Sequence, residues 1–368
     1  MSTDDPQDRA TCFFTASTGR TIHTNVGGLR TLADEPISAA SRRIVRYQYR
    51  SFDRQWVFED PRLAALERPS LWSSLSPSQM FLVSKPTHPI GGGPAATAAT
   101  SVPDLHCFRG SFGGKDIIPL YRDAEGAPNV DPKLLEAVGK AQGTEESVVV
   151  ESLFAYTYAV LAGTDYSTRF AEELKTPGPR VPLTGDAPLF LEVAEFGRQL
   201  LWLHTYGERF DKGRGPLLVP SIVVKGELTL PSKPSDIKYD ASKQSVKVGT
   251  GAVSGVVPEV WTFEVSGMQV VKKWLGYRTS KGAGRSASTS SPLDHIRPTE
   301  WLDEWTTELL ELLSVLQRTL DLQPEGIELL DRIVAGPMIK ASELPEPPPE
   351  LRRPPGSSRG PTQAALGL

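Results

Sequence analysis

The residues best suited to chemistry in this 368-residue chain are cations set among small polar side chains. Between Val265 and Thr299 the cations are Lys272, Lys273, Arg278, Lys281, Arg285 and Arg297, and the only carboxylate is Asp294. From Arg278 to Ser291 the remaining residues are mostly glycine, serine, threonine and alanine. DNA-binding proteins place Arg and Lys on phosphates and a few polar side chains at base edges. This composition therefore predicts either a DNA-contacting loop or a solvated linker.

A second candidate for phosphate binding is the glycine-rich stretch from Phe108 to Lys115. Its glycines would let the backbone approach a phosphate, while Arg109 and Lys115 would supply positive charge. Arg122 follows in the same region and joins the predicted set of DNA-binding cations. The alternative is an ordinary tight turn between two short buried strands, Cys107–Phe108 and Ile117–Ile118.

Motifs for catalysis or cofactor binding are missing or incomplete. An adenine methyltransferase needs an Asn/Asp-Pro-Pro-aromatic loop, which this sequence lacks. In Gly249–Gly255 the last glycine of a dinucleotide-binding pattern is replaced by Ser254, so a hairpin turn is predicted instead. Gly110–Lys115 lacks the spacing of a phosphate loop, and Asp116 stands where Ser or Thr would hold magnesium. Two cysteines and five histidines show no zinc-ligand spacing. We expect no catalytic residues, metal or cofactor in this chain.

The basic segments must be positioned by a mixture of helices and strands. Apolar residues at steps of three and four predict a helix over Leu189–Leu203, and further helices are predicted over Thr144–Leu161 and Tyr166–Leu174. The period then changes to two, which predicts strands at Ser221–Val224, Ile237–Tyr239, Val246–Val248 and Trp261–Val265. The predicted fold class is α+β, with a helical central part, a mostly antiparallel sheet region from about Leu217 to Val271 and a C-terminal helical pair.

Two segments of the N-terminal half have opposite patterns. Alternation from Ile44 to Arg50 predicts a strand, and Trp56–Phe58 is its predicted partner. Pro86–Pro103 contains three consecutive glycines and a run of alanine and threonine, so it is predicted to be a mobile surface loop.

The longest predicted helix begins at Pro298-Thr299 and ends at Pro324, with a shorter helix after it. Its apolar stripe consists of Trp301, Trp305, Leu309, Leu312, Leu316 and Leu320. Its flanks are acidic, with Asp303, Glu304, Glu308 and Glu311. Since phosphates would repel these carboxylates, the helix is predicted to pack into a core, and docking on a partner protein is the alternative.

Composition is that of an ordinary globular protein, with 39% hydrophobic and 23% charged residues and a net charge of −4. No apolar stretch approaches the ~20 residues that a membrane span needs. The two cysteines fit a reducing cytoplasm. Residues 1–40 are predicted to be a poorly structured lead-in, 41–337 the folded region with a possible division near 215, and 345–368 a disordered proline-rich tail.

Seven short segments together indicate a family. They are Tyr47–Trp56, Ile118–Tyr121, Phe154–Leu161, Pro179–Pro182, Gly197–His204, Pro258–Trp261 and Lys272–Arg278. In this order and at this spacing they resemble the C-terminal specificity region of type ISP restriction-modification enzymes, from about Arg42 to Pro337. Those enzymes are single polypeptides with nuclease, ATP-dependent helicase, adenine N6-methyltransferase and target-recognition parts.

The resemblance implies that residues 41–337 recognise a DNA target for a phage-defence system and catalyse nothing themselves. It favours DNA contact over a mere linker at 272–291, with further base contacts from 108–122. The implied partners are double-stranded DNA and a methyltransferase/helicase protein in the cytoplasm, and no membrane. S-adenosylmethionine and ATP are implied only for that partner protein.

The resemblance leaves two points open. Arg42, Arg43, Arg46, Arg50 and Arg54 form a basic cluster that matches the junction with the methyltransferase part, so they are predicted to contact either DNA or that part. The alternative function is a protein-interaction module, or a remnant, that docks on a defence-system partner through the acidic C-terminal helix.

Overall fold

A computed structural model describes residues 44–58, 68–109, 117–280 and 298–355. Its α-helices are α1 (Pro69–Ser73), α2 (Pro132–Ala141), α3 (Val150–Ala162), α4 (Thr164–Arg169), α5 (Ala187–His204), α6 (Pro258–Thr262), α7 (Val270–Tyr277) and α8 (Asp303–Ala335). Its strands are β1 (Ile44–Arg50), β2 (Asp53–Phe58), β3 (Phe81–Val83), β4 (Thr97–Ala99), β5 (Ile117–Pro119), β6 (Val223–Lys225), β7 (Lys238–Asp240), β8 (Ser245–Val248), β9 (Gly251–Ser254), β10 (Glu264–Val265) and β11 (Met268–Gln269). The predicted α+β class is confirmed.

The chain divides into two compact units, and each is assembled from separate stretches of sequence. Unit 1 takes the described residues of Met1–Glu67, Asp104–Phe112 and Gly215–Leu322. Unit 2 takes those of Arg68–Pro103, Gly113–Arg214 and Gln323–Leu368. One boundary falls between Arg214 and Gly215, and each unit combines segments that are distant in sequence, which no local pattern indicates.

Unit 1 begins with an antiparallel hairpin of β1 and β2, which confirms the predicted pairing. Its register places Ile44 opposite Phe58 and Arg50 opposite Asp53. In the turn, Phe52 has a φ of 62° and its ring lies edge-on to Phe263. Such a φ is unfavourable for a bulky residue, and the burial of the Phe52 ring offsets that cost.

The larger sheet of unit 1 has the strand order β6-β9-β8-β7, with every neighbouring pair antiparallel. β8 and β9 form a hairpin around Gly249, as predicted for this glycine-rich stretch. The predicted strand Trp261–Val265 is wrong for its first half, because Trp261 lies in α6, whereas Glu264–Val265 form β10. Pro258 has the fixed φ that suits a first helical turn, and the Trp261 ring stacks on Tyr239 with centroids 5.2 Å apart.

Helix α8 is continuous for 33 residues and contains Pro324. The prediction that Pro324 ends the helix, and with it the helical pair, is therefore wrong. A proline within a helix removes one hydrogen bond and costs about 3 kcal/mol. Apolar residues are buried on both sides of it, with Leu316 in unit 1 and Ile333 in unit 2, and this burial outweighs the local penalty.

Unit 2 contains the predicted central helices and a sheet with the order β4-β3-β5. Helix α5 coincides closely with the predicted Leu189–Leu203 helix, and its Phe190 stacks on Tyr156 of α3 at 4.8 Å. The prediction of a mobile surface loop at Pro86–Pro103 is wrong for its second half. There β4 pairs with β3, and its small alanine and threonine side chains are buried, so a tightly packed strand forms where composition indicated a loop.

A histidine without charge lies in the core of unit 2. His204 is buried, and its Nδ1 is hydrogen-bonded to the Tyr158 hydroxyl at 2.5 Å. Burial lowers the pKa of His204 from its ordinary value of 6.5 to about 3. The imidazole is therefore neutral in the folded protein at any pH above that value.

Unit 2 is expected to lose stability in mild acid because of His204. Below pH 6.5 the unfolded chain takes up a proton that the folded core excludes until about pH 3. The loss between these values should be roughly 1.4 kcal/mol per pH unit, and the contribution should vanish above about pH 7. Urea unfolding followed by far-ultraviolet circular dichroism at pH 7 and at pH 5 measures this difference. In the His204→Gln variant the free energy of unfolding should differ less between pH 7 and pH 5 than in the wild type. An equal difference would show that His204 is not the source of the acid sensitivity.

Candidate nucleic-acid interface

Helix α7 presents the two lysines of the strongest predicted DNA-binding segment. Val271, Trp274 and Leu275 of this helix are buried in unit 1. The polar residues of the same turns must therefore lie outside that face. Lys272 is exposed, with Nζ 5.3 Å from the Trp261 ring centroid. Lys273 is half-buried, with Nζ 5.5 Å from the ring of the neighbouring Tyr277. Both ammonium groups are thus supported by aromatic faces in unit 1.

Arg278, the next predicted DNA-binding residue, lies inside unit 1 and is only 4% exposed. Its Nη2 donates to Asp53 Oδ1 at 2.9 Å and lies 3.4 Å from Glu308 Oε2. Its guanidinium also lies 3.5 Å from the Trp274 ring centroid. Because it is buried and its charge is matched within the unit, Arg278 is a structural cation, and the prediction that it contacts DNA is not supported by its position.

The carboxyl partner of Arg278 is also unusual. Asp53 is fully buried, and burial raises its pKa above the ordinary value, while Arg278 and Gln55 oppose this rise. The Arg278 guanidinium offsets part of the cost of burying this carboxyl group. The Asp53–Arg278 pair therefore links the β1–β2 hairpin to helix α7.

The basic cluster of the hairpin is matched by the acidic flank of α8. Arg46 donates to Glu304 and to Glu308, each at 2.7 Å. Arg54 donates to Glu311 at 3.0 Å. These arginines are predicted to contact DNA or a methyltransferase, whereas Arg46 and Arg54 pair with carboxylates within unit 1. These pairs and the buried leucines of α8 confirm the prediction that this helix packs into a core.

Arg50 is engaged in the same way. It donates to Asp104 at 2.8 Å, and its guanidinium lies over the Tyr49 ring at 3.9 Å. The arginines of the described hairpin therefore act in folding, and their charge is largely unavailable to an external phosphate. Arg42 and Arg43 lie outside the described residues.

The second predicted region, 108–122, is divided between the two units. Arg109 is half-buried and follows Cys107 and Phe108, which lie in a turn and not in the predicted strand. Arg122, in unit 2, donates to Asn129 Oδ1 at 3.2 Å and to the carbonyl oxygens of Leu351 and Arg353 at 3.0 and 2.6 Å. The proline-rich segment thus covers part of the Arg122 guanidinium. Three other predicted residues lie outside the described ranges: Lys115, Lys281 and Arg285.

A further group of cations, absent from the predicted set, lies on the β6-β9-β8-β7 sheet. They are Lys225, Lys238 and Lys247. All three are exposed, whereas their neighbours Val246 and Val248 are buried. The sequence pattern that could have identified them is the alternation of lysine with apolar residues in short strands. This alternation places the lysines on the solvent side of the sheet.

Within the described ranges, no three His, Cys, Asp or Glu side chains are grouped as a metal site would require. None of the helices described is both long and apolar enough to cross a bilayer. The described cations outside ion pairs include Lys272 and Lys273 of α7 and the three sheet lysines, all in unit 1.

The sequence matches the family model of the Type ISP C-terminal specificity domain over residues 1–312. The chain belongs to this family, which confirms the resemblance carried by its seven short segments. The comparison with curated proteins gives no significant match.

Two solved structures with a similar fold contain DNA. A DrdV–DNA complex determined by cryo-electron microscopy is 19% identical, with a TM-score of 0.56 over 80% of this chain and 29% of that one. The ATP-dependent Type ISP restriction-modification enzyme LlaBIII bound to DNA is 18% identical, with a TM-score of 0.54 over 83% of this chain and 18% of that one. This chain therefore spans less than a third of the length of either.

Proposed function

We propose that this chain recognises a specific DNA sequence on behalf of a restriction-modification system and catalyses no reaction itself. The observation that carries the proposal is membership of the Type ISP specificity-domain family over residues 1–312. The similarity of fold to two chains solved on DNA supports the same proposal. Duplex DNA is the proposed ligand, and Lys272 and Lys273 are its proposed phosphate contacts.

The proposed partner is an adenine methyltransferase/helicase protein in the cytoplasm. The solved chains of similar fold are several times longer than this one. We propose that S-adenosylmethionine and ATP are bound by that partner and not by the specificity domain. The domain would then contribute target choice alone, by placing the partner on a short site.

The acidic C-terminal helix was the basis for the rival function, a protein-docking module. In unit 1 the carboxylates Glu304, Glu308 and Glu311 bind arginines, and Leu312 and Leu316 are buried. Since both the acidic flank and the apolar stripe are occupied, this part of α8 offers little free surface to a partner. We therefore favour DNA recognition.

Selection from a randomised duplex library is expected to enrich one sequence motif on the purified chain. The Lys272→Gln/Lys273→Gln variant should bind the enriched duplex roughly tenfold more weakly at about 0.15 M salt, because two phosphate contacts are lost. The salt slope of log K should fall by about 2. Fluorescence anisotropy with a labelled duplex measures both quantities.

The matched control is Lys133→Gln/Lys140→Gln, which removes the same charge from exposed positions of α2 in unit 2. It should bind like the wild type. No enriched motif at low or moderate salt would contradict autonomous recognition. If a motif is enriched but both variants bind it equally well, the proposed function stands and the proposed phosphate contacts on α7 are wrong.

A further inference from the structure

The missed lysines form a single row across the β6-β9-β8-β7 sheet. The strand register places Lys225 opposite Ala252, Ala252 opposite Lys247, and Lys247 opposite Lys238. Residues directly opposite each other in neighbouring strands project from the same face. Lys225, Lys247 and Lys238 therefore project together from one face, and we call these three residues the lysine row.

This face of the sheet is directed to solvent. The alternate residues Val246, Val248 and Val253 are buried beneath the sheet, whereas each lysine of the row is exposed. The parallel row beside it contains Val223, Ser254, Ser245 and Asp240. The lysine row is thus a rigid, solvent-facing array, because its backbone positions are fixed by the sheet.

Folding alone gives no reason for this arrangement. Lys238 and Lys247 are direct cross-strand neighbours, and like charges in such positions are destabilising. The lysine row contains no carboxylate, and no ion pair joins it to the residues that the structure describes. Asp240, the carboxylate within these four strands, accepts hydrogen bonds from Ser242 and lies 3.6 Å from Lys243 Nζ. An external anion would relieve the repulsion that the row carries.

We propose that the lysine row binds the phosphate backbone of duplex DNA. This inference rests on the proposed function and adds a second contact surface to it. Strands lie about 4.8 Å apart, so the row spans about 14 Å from Lys238 to Lys225. That length is close to the ~12 Å width of the major groove, and flexible lysine stems can adjust to several neighbouring phosphates.

The lysine row should contribute affinity without sequence preference. Lysine offers phosphate a mobile point charge, and Ala252 between the lysines has no side-chain group that could hydrogen-bond to a base edge. The row therefore holds the duplex against unit 1 and leaves base contacts to other residues. Neutralising the lysine row should lower the affinity for target and non-target duplexes by the same factor.

The test compares two triple variants that lose equal charge. Lys225→Gln/Lys238→Gln/Lys247→Gln neutralises the row, and Lys133→Gln/Lys140→Gln/Lys212→Gln neutralises exposed lysines of unit 2. Anisotropy is measured for a labelled target duplex and for its scrambled version between about 50 and about 200 mM salt. We expect the row variant to lose about 2–3 from the salt slope on both duplexes, with an unchanged ratio of affinities. The control should keep the wild-type slope.

Three results would overturn the inference. If the row variant and the control have the same slope, the row does not bind phosphate, while target recognition still stands. If the row variant loses its preference for the target, the lysines contact bases and the backbone role is wrong. If the wild type binds neither duplex, both the row and the proposed function fail.

Thermal unfolding verifies the fold, and the row variant should melt no earlier than wild type because a like-charge pair is removed.

Discussion

Replacing Arg278 by methionine is expected to lower the free energy of unfolding of unit 1 by about 3–5 kcal/mol. The guanidinium is 4% exposed and serves both Asp53 and Glu308. Its removal would leave the buried Asp53 carboxylate without its cation and Glu308 with Arg46 alone, and methionine cannot hydrogen-bond to either. Urea unfolding followed by tryptophan fluorescence is a suitable measurement, since Trp274 and Trp305 of unit 1 lie close to Arg278.

The matched control for this prediction is Arg332→Met, which breaks the ion pair between Arg332 and Glu192 in unit 2. Both partners there are about half exposed, so solvent screens the pair and the expected loss is small beside that of Arg278→Met. Adding Asp53→Asn to Arg278→Met should recover part of the lost stability, because the uncompensated carboxylate disappears. Equal losses from Arg278→Met and Arg332→Met would show that the buried pair has no special weight.

A single methyl group at Gly197 is expected to destabilise unit 2 by about 3 kcal/mol or more. Gly197 lies in α5 where it crosses α3, and a Cβ there would overlap the Ala155 carbonyl oxygen and lie 2.5 Å from its carbon. Both obstructing atoms belong to the backbone, so the helices themselves would have to separate. The gain of about 1 kcal/mol in helix propensity for Gly197→Ala is too small to compensate.

The control for this crossing is Gly163→Ala, at the junction of α3 and α4. Gly163 has a φ of −71°, and a Cβ there would meet its nearest neighbour, the Val160 carbonyl oxygen, at an ordinary 3.9 Å. This variant should be neutral or stabilising by about 0.4–1 kcal/mol. Circular dichroism during urea unfolding compares the two. A Gly197→Ala variant as stable as the wild type would mean that the crossing is looser than described.

The elements predicted correctly are those whose pattern is local. Helix α5 has apolar residues at regular steps, and the alternation in β1 matches a strand, although the buried residues of this strand are the polar Gln48 and Arg50. The predictions of a helix end at Pro324 and of a loop at Thr97–Ala99 are wrong, because contacts with residues distant in sequence determine the conformation of both segments. A proline penalty or a loop-like composition carries no information about the apolar partners that the segment will meet in three dimensions.

The candidate interface was predictable to a smaller degree. The sequence identifies α7 as basic but cannot separate the exposed Lys272 from the buried Arg278, since that depends on Asp53, more than 200 positions away. The lysine row has a similar origin, because Lys225, Lys238 and Lys247 become neighbours only through strand register. Electrostatic surfaces built from distant cations need the fold before they can be recognised.

The position of α8 in both units has a consequence for synthesis of the chain. Arg46 and its partner Glu308 are 262 positions apart, and Ile333 completes the core of unit 2 from the far end of the same helix. At about 5–20 residues per second, a ribosome needs roughly 10–50 s to travel from Arg46 to Glu308. Neither unit can complete its core until this helix has been released from the ribosome, so the final folding of both must wait for the synthesis of α8.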